Sequence, residues 1–216
     1  MSSCCVQATD QFFDKKYALR DLRKYRRKGP GGTTRLLVDA LRQHKLTDTT
    51  LLDVGGGIGM ITHEVLAVGG KAATIVDMSS ASLALAKEEA VRLGTEARLK
   101  LIHGDVVQQA DAVPVVDVVA LDRVVCCYPA PIELLDAVLG KCTNLFAISY
   151  PRPHAYARFA FWFGNKIWRL SGHSFQTFVH SEAVLQQQIR NNGFEEISSQ
   201  HTLMWQTSLY QRVKMA

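Results

Sequence analysis

The chain has 216 residues, of which 47% are hydrophobic and 21% are charged, which is the composition of a globular protein rather than a disordered or fibrous one. Its five cysteines contain no C-x-x-C pair. This usage excludes a disulfide framework and a zinc site of common spacing, and it indicates reduced thiols. We therefore expect a cytoplasmic protein with no bound metal, no signal peptide and no membrane span.

Much of the formal net charge of +5 comes from the N-terminal segment. That segment contains eight basic residues, Lys15, Lys16, Arg20, Arg23, Lys24, Arg26, Arg27 and Lys28. Such a cluster is typical of a solvated helix face, although it also suits an anionic partner. No nucleic-acid-binding motif accompanies it, so we expect no nucleic-acid partner and leave peripheral contact with a membrane open. The sequence does not define the oligomeric state.

Helical and strand patterns alternate along the first two thirds of the chain. The apolar periodicity and the turn residues predict helices over 10–27, 33–44, 58–68, 79–93 and 131–140, and strands over 51–54, 72–77, 97–103, 115–121 and 145–150. The last third predicts an aromatic-rich helix over 154–170, a helix over 181–193, and two strands over 194–203 and 205–213. This order predicts an α/β fold with right-handed crossovers, a mostly parallel sheet and a single domain over 1–216.

A glycine-rich turn follows the first predicted strand. The strand ends in Asp53-Val54, and the chain continues as Gly55-Gly56-Gly57-Ile58-Gly59 into a helix. Glycines here permit positive φ and bring bare N–H groups close to a ligand. The start of the helix adds its own unpaired N–H groups and the positive end of its dipole. The turn therefore predicts a site for a nucleotide-like or carboxylate-bearing small molecule.

Acidic residues recur where successive predicted strands end, at Asp53, Asp77, Asp105 and Asp122. The carboxyl ends of parallel strands form the ligand crevice of an open α/β sheet. Asp77 stands where a carboxylate can accept hydrogen bonds from two ribose hydroxyls, and Asp105 where it can meet an adenine amino group. We expect Asp53 to orient the glycine turn or to meet a ligand ammonium group.

These motifs resemble those of class I S-adenosylmethionine-dependent methyltransferases. D-x-G-x-G-x-G at 53–59 is similar to that family's first motif, and the residues after the next three strands match its later ones. The resemblance implies a Rossmann-like, seven-stranded sheet with helices on both faces and an antiparallel last strand. It implies S-adenosylmethionine as cofactor and S-adenosylhomocysteine as product. It also implies a cofactor-binding set of Asp53, Gly55, Gly56, Gly57, Gly59, Asp77, Met78, Asp105, Val106, Asp122, Arg123, Tyr17 and Tyr25.

Two other classes of protein remain as alternatives. A nicotinamide-dependent oxidoreductase carries G-x-G-x-x-G, which the turn partly mimics, but the sixth position of that motif is Met60 here instead of a small residue. A non-catalytic module that binds S-adenosylmethionine would keep the same cofactor motifs. The resemblance favours the methyltransferase over both.

The acceptor is predicted less sharply than the cofactor. The candidates for a general base or catalytic group are Asp122, Tyr150, His154 and His173. Residues 151–180 are expected to form a substrate-side insertion, with an apolar wall from Tyr156, Phe159, Trp162, Phe163 and Trp168. This stretch is loosely similar to magnesium-protoporphyrin O-methyltransferases. By analogy with the family, 1–32 is expected to form a helical lid. We therefore expect a small, largely apolar acceptor.

Overall fold

A computed structural model describes residues 3–213, with side chains described from residue 6 onward. The helices are α1 (Ser3–Phe12), α2 (Lys15–Lys28), α3 (Thr33–Leu41), α4 (Met60–Ala67), α5 (Ser80–Arg92), α6 (Pro131–Leu139), α7 (Ala155–Leu170) and α8 (Glu182–Asn191). The strands are β1 (Thr50–Val54), β2 (Ala72–Asp77), β3 (Leu99–His103), β4 (Val116–Asp122), β5 (Cys142–Pro151), β6 (Phe194–His201) and β7 (Trp205–Arg212).

The seven strands form one sheet in the order β3-β2-β1-β4-β5-β7-β6. Strands β1 to β5 pair in parallel, whereas β7 runs antiparallel to both of its neighbours, β5 and β6. The last strand of the chain is thus inserted between two earlier ones. This arrangement confirms the predicted seven-stranded, Rossmann-like fold with an antiparallel last strand.

Helices cover both faces of the sheet. On β4, Val119 and Leu121 belong to the core shared with α6 and α8, while Val118 and Ala120 face the core shared with α3 and α4. All four side chains are fully buried, which explains why the middle of this strand, 118–121, is continuously apolar instead of alternating. The site-bearing ends of the strands are therefore held by two packed layers.

Several predicted element boundaries differ from the structure, and the helix expected over 33–44 already ends at Leu41. The single N-terminal helix expected over 10–27 is two helices, because Asp14 interrupts it and accepts a hydrogen bond from Tyr17 N as the N-cap of α2. Strand β3 begins only at Leu99, after a 3-10 turn over Glu96–Arg98. Strand β5 begins at Cys142, three residues before the predicted start.

The described residues allow two further sequence expectations to be compared with the structure. Cys126, Cys127 and Cys142 are free thiols, whereas the side chains of Cys4 and Cys5 lie outside the described part. Within residues 3–213, no helix is long and apolar enough to cross a bilayer.

Candidate functional site

A cavity of about 490 Å³ opens at the carboxyl ends of β1, β2 and β4. This volume falls in the range of small-molecule sites. One part of the lining is the glycine turn with polar groups, which include Asp53, Gly55, Gly56, Gly57, Asp77, Asp122 and Arg123. Another part consists of aromatic side chains, which include Phe12, Phe161, Trp168, Phe175 and Trp205. The cavity thus joins a polar cradle to an apolar wall.

The glycine turn is shaped by close packing on two sides. Gly55 and Gly57 have φ of +59° and +57°, which only glycine adopts without strain. A Cβ on Gly55 would stand 2.5 Å from Val124 Cγ2, and one on Gly56 would stand 2.6 Å from Asp53 Cγ. A Cβ on Gly57 would meet no atom within 4 Å. Gly57 therefore faces open space on the cavity side, where a ligand can approach its backbone.

Asp77 connects the turn to the end of β2. Its two oxygens accept hydrogen bonds from Gly57 N and Ser79 N, both at 2.7 Å. Desolvation raises the pKa of this carboxyl, although the two N–H donors oppose that shift. Each carboxylate oxygen has a further lone pair for an incoming hydroxyl donor. The geometry is therefore suited to a ligand that presents hydroxyl groups, such as a ribose.

Asp53 lies beneath the turn and is only 1% exposed. One carboxyl oxygen accepts a hydrogen bond from Thr62 Oγ1 at 2.9 Å. Burial raises the pKa of Asp53 to about 7, with the negative charges of Asp122 and Asp77 adding to the shift. This carboxyl supports Gly56 by contact and lines the cavity as a group that titrates near neutral pH.

The raised pKa of Asp53 predicts a specific pH dependence of stability. The unfolded-state pKa of an aspartate is about 3.9, so the stabilising contribution of Asp53 is full below about pH 4 and is lost as the pH rises through about 7. Asp53→Asn removes the titration. Between about pH 5 and pH 8, the free energy of unfolding of the wild type should fall relative to that of the variant by roughly 2–4 kcal/mol. Urea unfolding of both ligand-free proteins measures this difference, and parallel pH profiles would contradict it.

Asp105 is placed differently from the other strand-end acids. It is 1% exposed, and its carboxylate accepts hydrogen bonds from Val107 N at 3.0 Å and from the Tyr128 hydroxyl at 3.1 Å. Its neighbours Gly104 and Val106 line the cavity, whereas Asp105 itself does not. The direct adenine contact expected of Asp105 stays a prediction, and the structure favours Val106 for that wall.

Asp122 and Arg123 stand together at the end of β4. The two oxygens of Asp122 accept hydrogen bonds from the hydroxyls of Thr34, at 2.5 Å, and Ser149, at 2.6 Å. Ser149 also accepts from Arg123 N at 2.8 Å, which fixes a residue with a φ of +60°. Asp122 and Arg123 both line the cavity. This network gives the cavity one ordered carboxylate and one cation.

Several predicted site residues lie away from the cavity lining. Tyr25 donates its hydroxyl hydrogen to Glu64 at 3.0 Å, behind the turn. Tyr150 is buried in the sheet and reaches Glu182, because its position on β5 points into the core. His154 precedes α7 and stacks on Tyr156, and the His173 ring lies edge-on to Phe12 while its backbone N–H donates to the Trp168 carbonyl. Among the predicted catalytic residues, only Asp122 lines the cavity, and the catalytic roles expected of the other three stay predictions.

Of the predicted cofactor-binding residues, Met78, Val106 and Tyr17 line the cavity, whereas Gly59 does not. A Cβ on Gly59 would stand 2.8 Å from Ile75 Cδ1, so this glycine serves the packing of α4 on the sheet. Thr34 and Phe175 also line the cavity, although nothing in the sequence predicts this placement. No motif marks these residues, because they reach the site only through the packing of distant segments.

Helix α7 faces the cavity with a different side from the one predicted. Trp168 lines the cavity as expected, together with Ala160, Phe161 and Gly164. Phe159, Trp162 and Phe163 are instead exposed on the opposite side of the helix. The apolar wall predicted from the aromatic stripe is therefore only partly correct. Asn165 fixes the following loop by bonding to the Thr177 backbone through both side-chain atoms, at 2.7 and 2.9 Å.

No cluster of three or more His, Cys, Asp or Glu side chains suited to a metal ion occurs among the residues that the structure describes. The cavity contains features that fit a nucleoside-bearing ligand. These features are the open Gly57 backbone, the Asp77 carboxylate and the Val106 wall.

The comparisons with known proteins agree with this geometry. The family model of the methyltransferase small domain matches residues 25–121, which contain the glycine turn, strands β1 to β3 and β4 up to Leu121. A search of the curated proteins finds no match.

Solved structures match over most of the chain. Magnesium protoporphyrin IX methyltransferase from Synechocystis PCC 6803, solved with bound SAH, has a TM-score of 0.71 at 15% identity, covering 97% of this chain and 100% of that one. The 1,6-didemethyltoxoflavin-N1-methyltransferase from Burkholderia thailandensis has a TM-score of 0.69 at 17% identity, covering 98% of this chain and 89% of that one. A putative S-adenosylmethionine-dependent methyltransferase from Listeria monocytogenes has a TM-score of 0.69 at 15% identity, covering 84% of this chain and 98% of that one. At these identities the structures establish the shared fold.

The chain therefore has the fold of class I methyltransferases. The match to a methyltransferase domain model over 25–121 agrees with the resemblance of the sequence motifs to S-adenosylmethionine-dependent methyltransferases. The sheet order also separates it from the oxidoreductase alternative, because the doubly wound dinucleotide-binding sheet has the order 3-2-1-4-5-6 and no inserted antiparallel strand.

Proposed function

We propose that the protein transfers the methyl group of S-adenosylmethionine to a small, largely apolar acceptor by in-line displacement at the sulfonium. The observation that supports this proposal is the single cavity lined in one part by the glycine turn and in another by Phe161, Trp168 and Phe175. Two of the proteins of similar fold are named for small-molecule acceptors, a magnesium porphyrin and a didemethyltoxoflavin.

We assign the polar part of the cavity to the cofactor. Gly55, Gly56 and Gly57 present backbone to the methionyl part, and Asp77 accepts hydrogen bonds from the ribose. The 104–106 segment covers the adenine. We propose that residues 1–216 form one domain in which 1–32 act as the lid, since Phe13, Tyr17 and Asp21 of this segment also line the cavity.

We assign the apolar part to the acceptor. S-adenosylmethionine supplies a methyl group that is already activated, so the protein has mainly to orient the acceptor and exclude water. The rings of Trp168 and Phe175 lie 5.6 Å apart, and Phe12 stacks on Phe175 at 4.3 Å, which builds a rigid apolar wall. Asp122 is the proposed group that holds or accepts the acceptor proton, and Arg123 beside it suits an anionic substituent.

A methyl-transfer screen with labelled S-adenosylmethionine across phenols, carboxylic acids and amines tests the proposed function. The label should appear in products that organic solvent extracts.

The acceptor wall also predicts a kinetic effect that distinguishes it from the part of the cavity assigned to the cofactor. Trp168→Ala should raise the acceptor KM by roughly tenfold or more while leaving S-adenosylhomocysteine affinity nearly unchanged. Trp168→Phe should restore most of the wild-type KM.

Two outcomes would contradict this function. Label found only in polar or macromolecular acceptors would exclude the apolar pocket as the acceptor site. Binding of S-adenosylhomocysteine without transfer to any compound in the screen would favour a non-catalytic cofactor-binding module. Val91→Ala is the control for Trp168→Ala, because Val91 is an exposed apolar residue of α5 outside the cavity lining. Its acceptor KM should equal that of the wild type.

A further inference from the structure

Helix α7 carries an exposed apolar face on the side away from the cavity. Within the described part of the chain, every exposed Phe, Trp or Tyr side chain belongs to this helix: Tyr156, Phe159, Trp162 and Phe163. Phe159 is 63% exposed and Leu170, at the end of the same helix, is 80% exposed. Exposed apolar patches of this kind mark interaction surfaces.

The spacing of these residues places them together. At 100° per residue, Phe159, Phe163 and Leu170 fall within one narrow sector of the helix, and Trp162 adjoins it. The opposite sector contains Gly164 and Trp168, which line the cavity. Rotating the helix to bury its outer face would therefore uncover the cavity. The outer face is left for a partner.

The patch extends beyond the helix. The Tyr156 hydroxyl donates a hydrogen bond to the carbonyl of Leu203 in the turn between β6 and β7. Leu203 is 77% exposed, so its side chain continues the apolar surface at the start of α7. Phe161 also contacts Trp205 with a ring separation of 6.0 Å, which ties the helix to the same turn.

The charged side chains of α7 itself all have one sign. Residues 137–181 include five Lys or Arg and no Asp or Glu, and the nearest acid to Arg158 along the adjoining pocket is Glu182 at the start of α8. Lys166 lies in the outer sector with its ammonium 5.4 Å from the centre of the Trp162 ring, and the exposed Arg158 and Arg169 follow one edge of that sector. A helix with aromatic side chains and flanking cations is the pattern of an interfacial helix on an anionic membrane.

We propose that the outer face of α7 docks on an anionic lipid bilayer. Trp and Tyr side chains favour the membrane interface, and Lys and Arg extend their charges to the headgroups. A second copy of the chain is a poorer occupant, because two such faces would bring Arg158, Lys166 and Arg169 against their own equivalents with no acidic side chain of α7 to pair them. Docking would hold the cavity close to lipid-dissolved compounds.

Vesicle co-sedimentation of the full chain tests this inference without any methyl donor, so its failure is independent of the proposed function. The wild type should bind vesicles of phosphatidylcholine with phosphatidylglycerol at least about tenfold more strongly than phosphatidylcholine alone, and added salt should weaken the binding. Replacing Phe159, Trp162 and Phe163 together by serine should lower the partition coefficient by about tenfold or more. Lys166→Glu with Arg169→Glu should weaken binding to the anionic vesicles alone.

A matched triple variant controls for the loss of exposed apolar area. Val91, Val115 and Val184 are exposed elsewhere on the chain, and their joint replacement by serine should leave vesicle binding unchanged. Circular dichroism and the thermal midpoint confirm that each variant folds. The inference is overturned if the wild type binds neither vesicle, or if the α7 variant binds as well as the wild type. Self-association that the α7 variant abolishes, without vesicle binding, would identify a protein interface instead.

Discussion

Asp77→Ala is expected to weaken S-adenosylhomocysteine binding by about 10- to 100-fold or more. The side chain is the proposed acceptor of the ribose hydroxyls, and hydrogen bonds to a charged group contribute about 1.5–3 kcal/mol each. The same carboxylate accepts from Gly57 N and Ser79 N at 2.7 Å, so its removal also frees the turn that presents the backbone to the cofactor. Calorimetric titration measures the change in affinity.

Two further variants make the Asp77 result specific. Asp77→Asn keeps one carbonyl acceptor, so it should retain part of the affinity and rank between the wild type and Asp77→Ala. Asp39→Ala removes an exposed carboxylate on α3, outside the cavity lining, and should bind as the wild type does. If Asp77→Ala bound with the affinity of Asp39→Ala, Asp77 would have no part in cofactor recognition.

Gly57→Ala is the second substitution with a large expected effect. A Cβ at this position meets no protein atom within 4 Å, so it would project into the space proposed for the cofactor. The affinity for S-adenosylhomocysteine should fall by roughly tenfold or more, since the ligand must approach this backbone closely. Because Gly57 has a φ of +57°, the free energy of unfolding should also fall by about 1 kcal/mol.

Gly94→Ala is the control that separates the loss of cofactor affinity from the loss of stability expected for Gly57→Ala. Gly94 has a φ of +69° and likewise no atom within 4 Å of a Cβ, but it follows α5 outside the cavity lining. It should lose a similar free energy of unfolding and keep full affinity. Equal affinities of the two variants would contradict the placement of the cofactor over Gly57.

The sequence predicts the cofactor end of the site far better than the acceptor end. The glycine turn and Asp77 are contiguous with buried strands, so their position follows from the strand order and from the rule that parallel strands end at one edge. Asp105 also follows its strand, yet its carboxylate is taken by the Tyr128 hydroxyl at 3.1 Å. That contact joins two separate loops, and no local pattern reveals it.

The acceptor end depends on how separate segments pack. The aromatic spacing of 154–170 correctly predicts a helix, but Phe159 and Trp168 both fit an apolar stripe, and only the tertiary structure shows which faces the cavity. Phe12 and Phe175 reach the site from opposite ends of the chain. The prediction of the histidines rests on their chemistry and on their position after β5, and neither His154 nor His173 lines the cavity.

The central claim is that the cavity over the glycine turn binds S-adenosylmethionine. Calorimetric titration of the intact chain with S-adenosylhomocysteine, run beside a titration with NAD, tests it most directly. We predict a saturable heat for one site with S-adenosylhomocysteine, which Gly57→Ala and Asp77→Ala both weaken, and no saturable heat with NAD. Absence of binding by S-adenosylhomocysteine to the folded wild type, or saturable binding of NAD in its place, would contradict the account.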